Sequence, residues 1–170
     1  GGSKNPLSFH PIAIIFGILA FISYLVEGGM SDWSAIFLNT EKDVPIERAV
    51  MGIMFYHIVM TIGRLAGNAV SMHVSPKRIV VTSYFLGAIA LGIIIVAPHS
   101  WALASFVLLG LSLSMIVPNL FSAMGMQKVI PMTQALSTAT TLGYVGVLAG
   151  PALIGYVSHS LSIIAAFTML

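Results

Sequence analysis

The chain has 170 residues, of which 58% are hydrophobic and 7% are charged. Soluble domains carry about 25% charged residues, so this composition excludes a surface that faces water throughout and predicts an integral membrane protein. The formal net charge of +2 is too small to indicate a nucleic-acid partner, and the absence of cysteine excludes disulfides and thiolate metal sites.

Five long apolar runs follow a polar start. Residues 1–10 are predicted to be a cytoplasmic linker, and the runs cover residues 11–38, 46–72, 79–96, 100–126 and 132–157. A hydrocarbon core of about 30 Å takes roughly 20 residues per helix, so each run is predicted to be a span. Ser100 is predicted to be the N-cap of the fourth span.

The last run, residues 161–170, reaches only about 15 Å as a helix and is predicted to be a sixth helix cut short. Membrane strands would require strict alternation of apolar and polar residues, which these runs lack. Residues 11–170 are therefore predicted to form an all-α, polytopic transmembrane helix bundle with five complete spans.

Lysine and arginine predict the orientation of this bundle. With spans that alternate in direction, four cations lie on the side where the chain starts and two lie on the other side. The first group is Lys4, Lys77, Arg78 and Lys128, and the second is Lys42 and Arg48. Because cytoplasmic loops are enriched in these residues, residue 1 is predicted to face the cytoplasm. Trp33 and Trp101 then lie near the outer interface, which indole rings prefer.

Polar residues recur at helical spacing inside four of the spans, so each of these spans carries a polar stripe. The stripes are Ser23, Glu27, Ser31 and Ser34 in the first span; His57, Thr61, Arg64 and Asn68 in the second; Ser105, Ser112 and Asn119 in the fourth; and Ser137, Thr140, Thr141 and Tyr144 in the fifth. The simplest packing turns the stripes toward a shared wet cavity and leaves the third span on the outside. The alternative for the serines and threonines is a hydrogen bond to their own or a neighbouring helix.

Ionisable residues in the stripes are the strongest functional candidates, because a charge at the bilayer centre costs at least about 2.5 kcal/mol. Glu27 is predicted either to bind a proton or the substrate or to form a structural ion pair, and Arg64 to have a structural or gating role. His57 is either a proton relay or a histidine satisfied by its neighbours. Asp32 is a weaker binding candidate, since it lies about 140° from Glu27 around the helix.

Glycine and proline form a second pattern. Pairs of glycines four residues apart predict faces where two helices approach closely, and they are Gly63 with Gly67 and Gly146 with Gly150. Predicted hinges, with ordinary helix packing as the alternative, are Gly28, Gly29, Pro118 and Pro151.

Residues 63–68, Gly-Arg-Leu-Ala-Gly-Asn, and residues 75–78, Ser-Pro-Lys-Arg, together resemble the cytoplasmic loop signature of the major facilitator superfamily. Residues 27–38, 117–122 and 140–155 resemble stretches in the second half of its bacterial members. The resemblance implies a half-bundle made of helices seven to eleven and part of twelve. It also implies a gating loop that contains Gly63, Arg64, Gly67, Asn68, Lys77 and Arg78, although Asn68 takes a position that is usually acidic.

The function that this resemblance implies is secondary transport by alternating access in the bacterial cytoplasmic membrane, with an N-terminal six-helix half and membrane lipid as partners. The expected substrate is a small polar solute, coupled to protons. Glu27 is the first candidate for proton or substrate binding, with hydrogen bonds from Asn119, Thr141 and Tyr144 and assistance from His57.

No phosphate loop, metal-ligand cluster or nucleotide fingerprint occurs in the sequence, so no metal or cofactor is expected. Two other functions stay open. One is an intramembrane hydrolase that pairs Ser112 with a histidine of another span. The other is a non-transporting membrane subunit or a half-size protein that works as a homodimer.

Overall fold

A computed structural model describes residues 10–170, apart from the side chain of Asn68, so the predicted linker lies almost wholly outside the described residues. This part of the chain forms six helices and no strand. They are α1 (Pro11–Lys42), α2 (Ile46–Ser71), α3 (Pro76–Val96), α4 (His99–Met126), α5 (Met132–Ser160) and α6 (Ile163–Thr168). Five are long and apolar enough to cross a membrane, whereas α6 has only 6 residues. The predicted all-α bundle with five spans and a short sixth helix is confirmed.

Helix ends differ from the predicted ends where the capping residues differ. α1 continues to Lys42 because Asp43 makes the turn, with a left-handed φ of 52°. The backbone N–H groups of Asp43 and Val44 then both donate to the Leu38 carbonyl, which satisfies an acceptor at the helix end. The predicted N-cap at Ser100 is wrong, because α4 begins one residue earlier and Pro98 takes the cap position.

The two helices that pack most extensively are far apart in the chain. The largest interface joins α1 to α5, and α4 packs against both α2 and α3. α1 makes a smaller contact with α2. The fully buried side chains that form the core include Phe37, Tyr56, Phe106, Leu109, Ile116 and Leu120. α3 packs mainly on α4, as expected of a helix on the outside of the bundle.

The interface between α1 and α5 is a direct contact of two parallel backbones. A Cβ atom added to Gly146 would lie 2.4 Å from the carbonyl oxygen of Phe21, and one added to Gly150 would lie 2.3 Å from that of Leu25. Only glycine fits at such distances, so the predicted packing face of Gly146 and Gly150 is confirmed.

Lys42 ties the end of α1 to the end of α3. Its Nζ donates to the carbonyl oxygens of Ile95 at 2.6 Å and of Ala97 at 2.9 Å. A cation at the carboxyl end of a helix complements the helix dipole and satisfies carbonyls that have no intrahelical donor. Beside it, the rings of Phe37 and Phe167 stack with centroids 4.3 Å apart, which holds α6 against α1.

Candidate functional site

An ion pair joins α1 to α2 within the spanning segments. Nη2 of Arg64 lies 3.0 Å from Oε1 and 2.8 Å from Oε2 of Glu27. The side chain of Glu27 is 19% exposed and that of Arg64 is 40% exposed. Pairing offsets the cost of holding either charge at this depth. The structure thus shows Glu27 in an ion pair, which was one of its two predicted roles. Because its side chain is partly exposed, the carboxylate can still be reached from outside the described bundle.

Ser31 links His57 to this pair. The hydroxyl of Ser31 donates to the carbonyl oxygen of Glu27 at 2.8 Å, and the Nε2 atom of His57 lies 3.4 Å from the same hydroxyl oxygen. Because the Ser31 proton is already used, the long contact is satisfied when Nε2 carries the hydrogen and donates. His57 and Arg64 are seven residues apart, so both project from the same face of α2.

Tyr24 and Tyr144 extend the cluster toward α5. Tyr24 interacts electrostatically with Glu27, Arg64 and Tyr144. Its ring also packs on Gly143, where an added Cβ would lie 2.7 Å from Tyr24 Cδ2. Tyr24 was not predicted from the sequence, although a hydroxyl three residues before Glu27 on the same helix face is a usable signal. We call Tyr24, Glu27, Ser31, His57, Arg64 and Tyr144 the ion-pair cluster.

One other predicted binding residue, Asn119, lies apart from this cluster. Asn119 is fully buried, and its Oδ1 accepts from Ser71 at 3.0 Å while its Nδ2 donates to the carbonyl of Met115 at 2.8 Å. Ser71 is seven residues beyond Arg64, which is about 10 Å along α2. Asp32 and Thr141 are exposed, and Thr141 lies one turn before Tyr144 on α5.

The four polar stripes do not all reach one cavity. Ser112 is buried in the bundle and donates to the carbonyl of Leu108 at 2.8 Å. Ser34 donates to the carbonyl of Met30 in the same way. Short hydroxyls are satisfied by their own helix, so helical spacing alone did not separate them from residues that face the opening. The expectation of a cavity shared by all four stripes is therefore wrong for α4 and for part of α1.

Comparison with known proteins indicates the family. The chain is 38% identical over 155 residues to a protein of Yersinia pestis named an uncharacterized MFS-type transporter, and the match covers 91% of this chain and 40% of that protein. Over nine tenths of its own length, this chain is similar to part of an MFS-type transporter. It is also 26% identical over 151 residues to membrane protein MosC of Rhizobium meliloti, which covers 88% of this chain and 37% of MosC.

A further relative is an uncharacterized transporter of Sinorhizobium fredii, 24% identical over 147 residues, or 86% of this chain and 39% of that protein. No protein-family model and no solved structure matches the chain. The chain spans about 40% of the length of the curated relatives it matches.

The predicted gating residues occupy two places in the structure. Gly63 packs against Ser114 of α4, and Arg64 belongs to the ion-pair cluster. Gly67 is buried, and the nearest atom of α4 is the sulfur of Met115. Lys77 and Arg78 are exposed in the first turn of α3, and the side chain of Asn68 lies outside the described part. The gating role stays a prediction.

The predicted hinge residues lie within continuous helices. α1 runs without a break through Gly28 and Gly29, and Pro118 and Pro151 are inside α4 and α5. Pro151 has no N–H, which leaves the carbonyl of Val147 without its helical donor. That oxygen faces Gly28, where a Cβ would lie 2.6 Å away, and Trp33 Nε1 donates to the Pro151 carbonyl at 3.1 Å. These contacts assign a packing role, and the hinge role stays a prediction.

The predicted pair of Ser112 with a histidine does not form among the described residues. Ser112 is bonded to its own helix, and His57 contacts Ser31, whose hydroxyl donates to the carbonyl of Glu27. A nucleophilic serine requires a base within hydrogen-bond reach. The hydrolase alternative built on Ser112 therefore has no support in the described part of the chain.

Proposed function

We propose that this chain is the C-terminal half of a proton-coupled secondary transporter of small polar solutes in the bacterial cytoplasmic membrane, with its start on the cytoplasmic side. The relatives named as transporters support the general function. The ion pair of Glu27 and Arg64, only 19% and 40% exposed within the spanning segments, supports the coupling. A carboxylate at membrane depth is the group from which proton relays in transporters are built.

Proton coupling follows from what protonation does to the pair. Uptake of a proton by Glu27 removes the negative charge that holds the guanidinium of Arg64, now 2.8 Å away. The contact between α1 and α2 then loses its ionic part, and the two helices separate more easily. Release of the proton restores the pair, so the protonation state of Glu27 biases the position of α1 relative to α2.

Solute binding is assigned to the open side of the same cluster. His57, Thr141 and Tyr144 are exposed on the face that the described chain leaves uncovered. An imidazole and two hydroxyls offer both donors and acceptors, which suits a polar, hydrogen-bonding solute. The other half of the transporter would close this face, with the solute held between the two bundles.

The coupling is tested with the full-length transporter in proteoliposomes that contain a pH-sensitive dye. Sugars, amino acids and organic acids are added as probes. We expect at least one class of probe to change the internal pH, and we expect Glu27→Gln to abolish this change. Glu47→Gln is the matched control, because Glu47 is an exposed carboxylate in the first turn of α2. If Glu27→Gln retains the full proton flux with an active probe, the coupling role is wrong.

Alternating access is tested by cysteine labelling, for which the cysteine-free chain is well suited. In full-length transporter without other cysteines, Thr61→Cys on the open face of α2 should react with a membrane-impermeant maleimide from either side of the membrane. Phe85→Cys, on the exposed outer face of α3, should not react, because a thiol in hydrocarbon does not ionise. Reaction of Thr61→Cys from one side only, in the presence of a transported probe, would contradict alternating access.

A further inference from the structure

A groove opens between α2, α3 and α4, and none of the residues of the ion-pair cluster lines it. Its volume is about 370 Å³. Apolar side chains from all three helices and from the loop between α2 and α3 line it, and they include Val70, Val74, Leu86, Leu111 and Met115. Leu86 is eight residues after Arg78 on α3, so the lining extends for about 12 Å along the helices. The groove is therefore apolar over most of the depth of one leaflet, whose hydrocarbon part is about 15 Å thick.

Arg78 supplies the charge of the groove. It is exposed in the first turn of α3 and belongs to the lining. Lys77 precedes it, and His73 lies exposed in the loop before α3. The apolar lining thus begins beside two cations, Lys77 and Arg78, at the end of the bundle where α2 passes into α3.

These cations have no acidic residues nearby in the chain. All five aspartates and glutamates occur at or before Glu47, so every charged residue from Arg48 to Leu170 is basic. The nearest carboxylate along the bundle, Glu27, is already paired with Arg64. The positive end of the α3 dipole adds to the local field, and the Ser75 side chain makes no capping hydrogen bond there.

We propose that this groove binds an anionic phospholipid, with the phosphodiester against Arg78 and an acyl chain along the apolar lining. Such a lipid offers a negative charge at the depth of the membrane interface and a hydrocarbon chain directly below it. Basic pockets between membrane helices bind anionic headgroups by this combination. Guanidinium is suited to the task, because its fork of donors matches two phosphate oxygens. Free phosphate fits the cation but leaves the apolar lining unused.

The proposal is tested with full-length transporter that carries one cysteine at Val81, labelled with a fluorophore and reconstituted in vesicles. Val81 is exposed on α3 and lies beside the groove without lining it. Brominated phosphatidylglycerol and brominated phosphatidylcholine are compared as quenchers at equal mole fraction. One basic residue near a membrane surface is worth about 1 kcal/mol with an anionic lipid, so we expect a preference of roughly fivefold for phosphatidylglycerol.

Arg78→Gln should reduce this preference to about one. Lys128→Gln is the matched control, since Lys128 is an exposed cation of the α4–α5 loop, at the same end of the bundle and outside the groove. It should keep the preference. Val74→Trp, which narrows the groove and leaves every charge in place, should also reduce it.

Three results would overturn the proposal: equal quenching by both lipids in the unmodified protein, equal behaviour of Arg78→Gln and Lys128→Gln, or no quenching by either lipid, which would mean that protein covers the groove. Loss of the preference on addition of inorganic phosphate would assign Arg78 to a soluble anion and would also overturn it. None of these results depends on transport activity.

Discussion

Gly150→Ala is predicted to lower the free energy of unfolding of the bundle, whereas the same substitution at an exposed glycine is not. The new Cβ would lie 2.3 Å from the carbonyl oxygen of Leu25 and 3.0 Å from the nitrogen of Gly29. Non-bonded heavy atoms prefer about 3.5–4.0 Å, so the shortfall at Leu25 is more than about 1 Å. Both neighbours are backbone atoms, so no side chain can rotate away and the helices α1 and α5 must separate. Overpacking of this kind costs typically about 1–3 kcal/mol.

The measurement is unfolding of the full-length transporter in mild detergent, followed by circular dichroism during titration with sodium dodecyl sulfate. Gly92→Ala is the matched control, because nothing lies within 4 Å of a Cβ at Gly92 of α3. It should leave stability unchanged or raise it by up to about 1 kcal/mol, the difference in helix propensity. Equal midpoints for Gly150→Ala and Gly92→Ala would refute the backbone contact between α1 and α5.

Three further predictions concern polar contacts and use the same unfolding assay. In a double-mutant cycle of Glu27→Gln and Arg64→Gln, the coupling energy should be about 0.5–3 kcal/mol, and a value of zero would contradict the ion pair. Lys42→Met should cost about 1.5–3 kcal/mol, because it removes charged hydrogen bonds to the end of α3. Lys128→Met, on an exposed loop, should stay within about 0.5 kcal/mol. Trp33→Phe should cost about 1 kcal/mol through loss of the bond to the Pro151 carbonyl, and no change would refute that bond.

The helices could be predicted from the sequence because membrane spans are long and apolar, and the five runs leave little choice of boundaries. The errors lie at the ends. α1 extends to Lys42 because Asp43 turns the chain in a left-handed conformation, which an aspartate adopts only in some contexts. The cap at Pro98 was missed because Ser100, two residues later, is the residue type preferred at an N-cap. Both errors come from capping geometry, which composition and periodicity do not encode.

The sequence predicted which ionisable residues belong to the candidate site, but it did not predict which of them contact each other. Glu27, His57 and Arg64 are conspicuous as ionisable groups inside apolar runs. That Glu27 contacts Arg64 depends on the antiparallel register of α1 and α2, which no local pattern defines. Lys42 is a similar case, since the carbonyls that it binds are more than fifty residues away in the chain.

Serines and threonines were the least predictable group. Ser31 faces His57, whereas Ser34, one turn later on the same stripe, is fully buried and bonded to its own helix. A hydroxyl can form its hydrogen bond equally well in either place. The packing of the neighbouring helices therefore determines whether it faces the ion-pair cluster or is buried.

The contact between α1 and α5 has a mechanical consequence. Two helices whose main-chain atoms touch along several turns cannot shift independently without opening a gap, so α1 and α5 move together. Glu27 moves with α1 and α5, whereas Arg64 belongs to α2, which makes a smaller contact with α1. A tilt imposed on α5 from elsewhere in the transporter would therefore change the distance between carboxylate and guanidinium, with no need for α1 itself to bend.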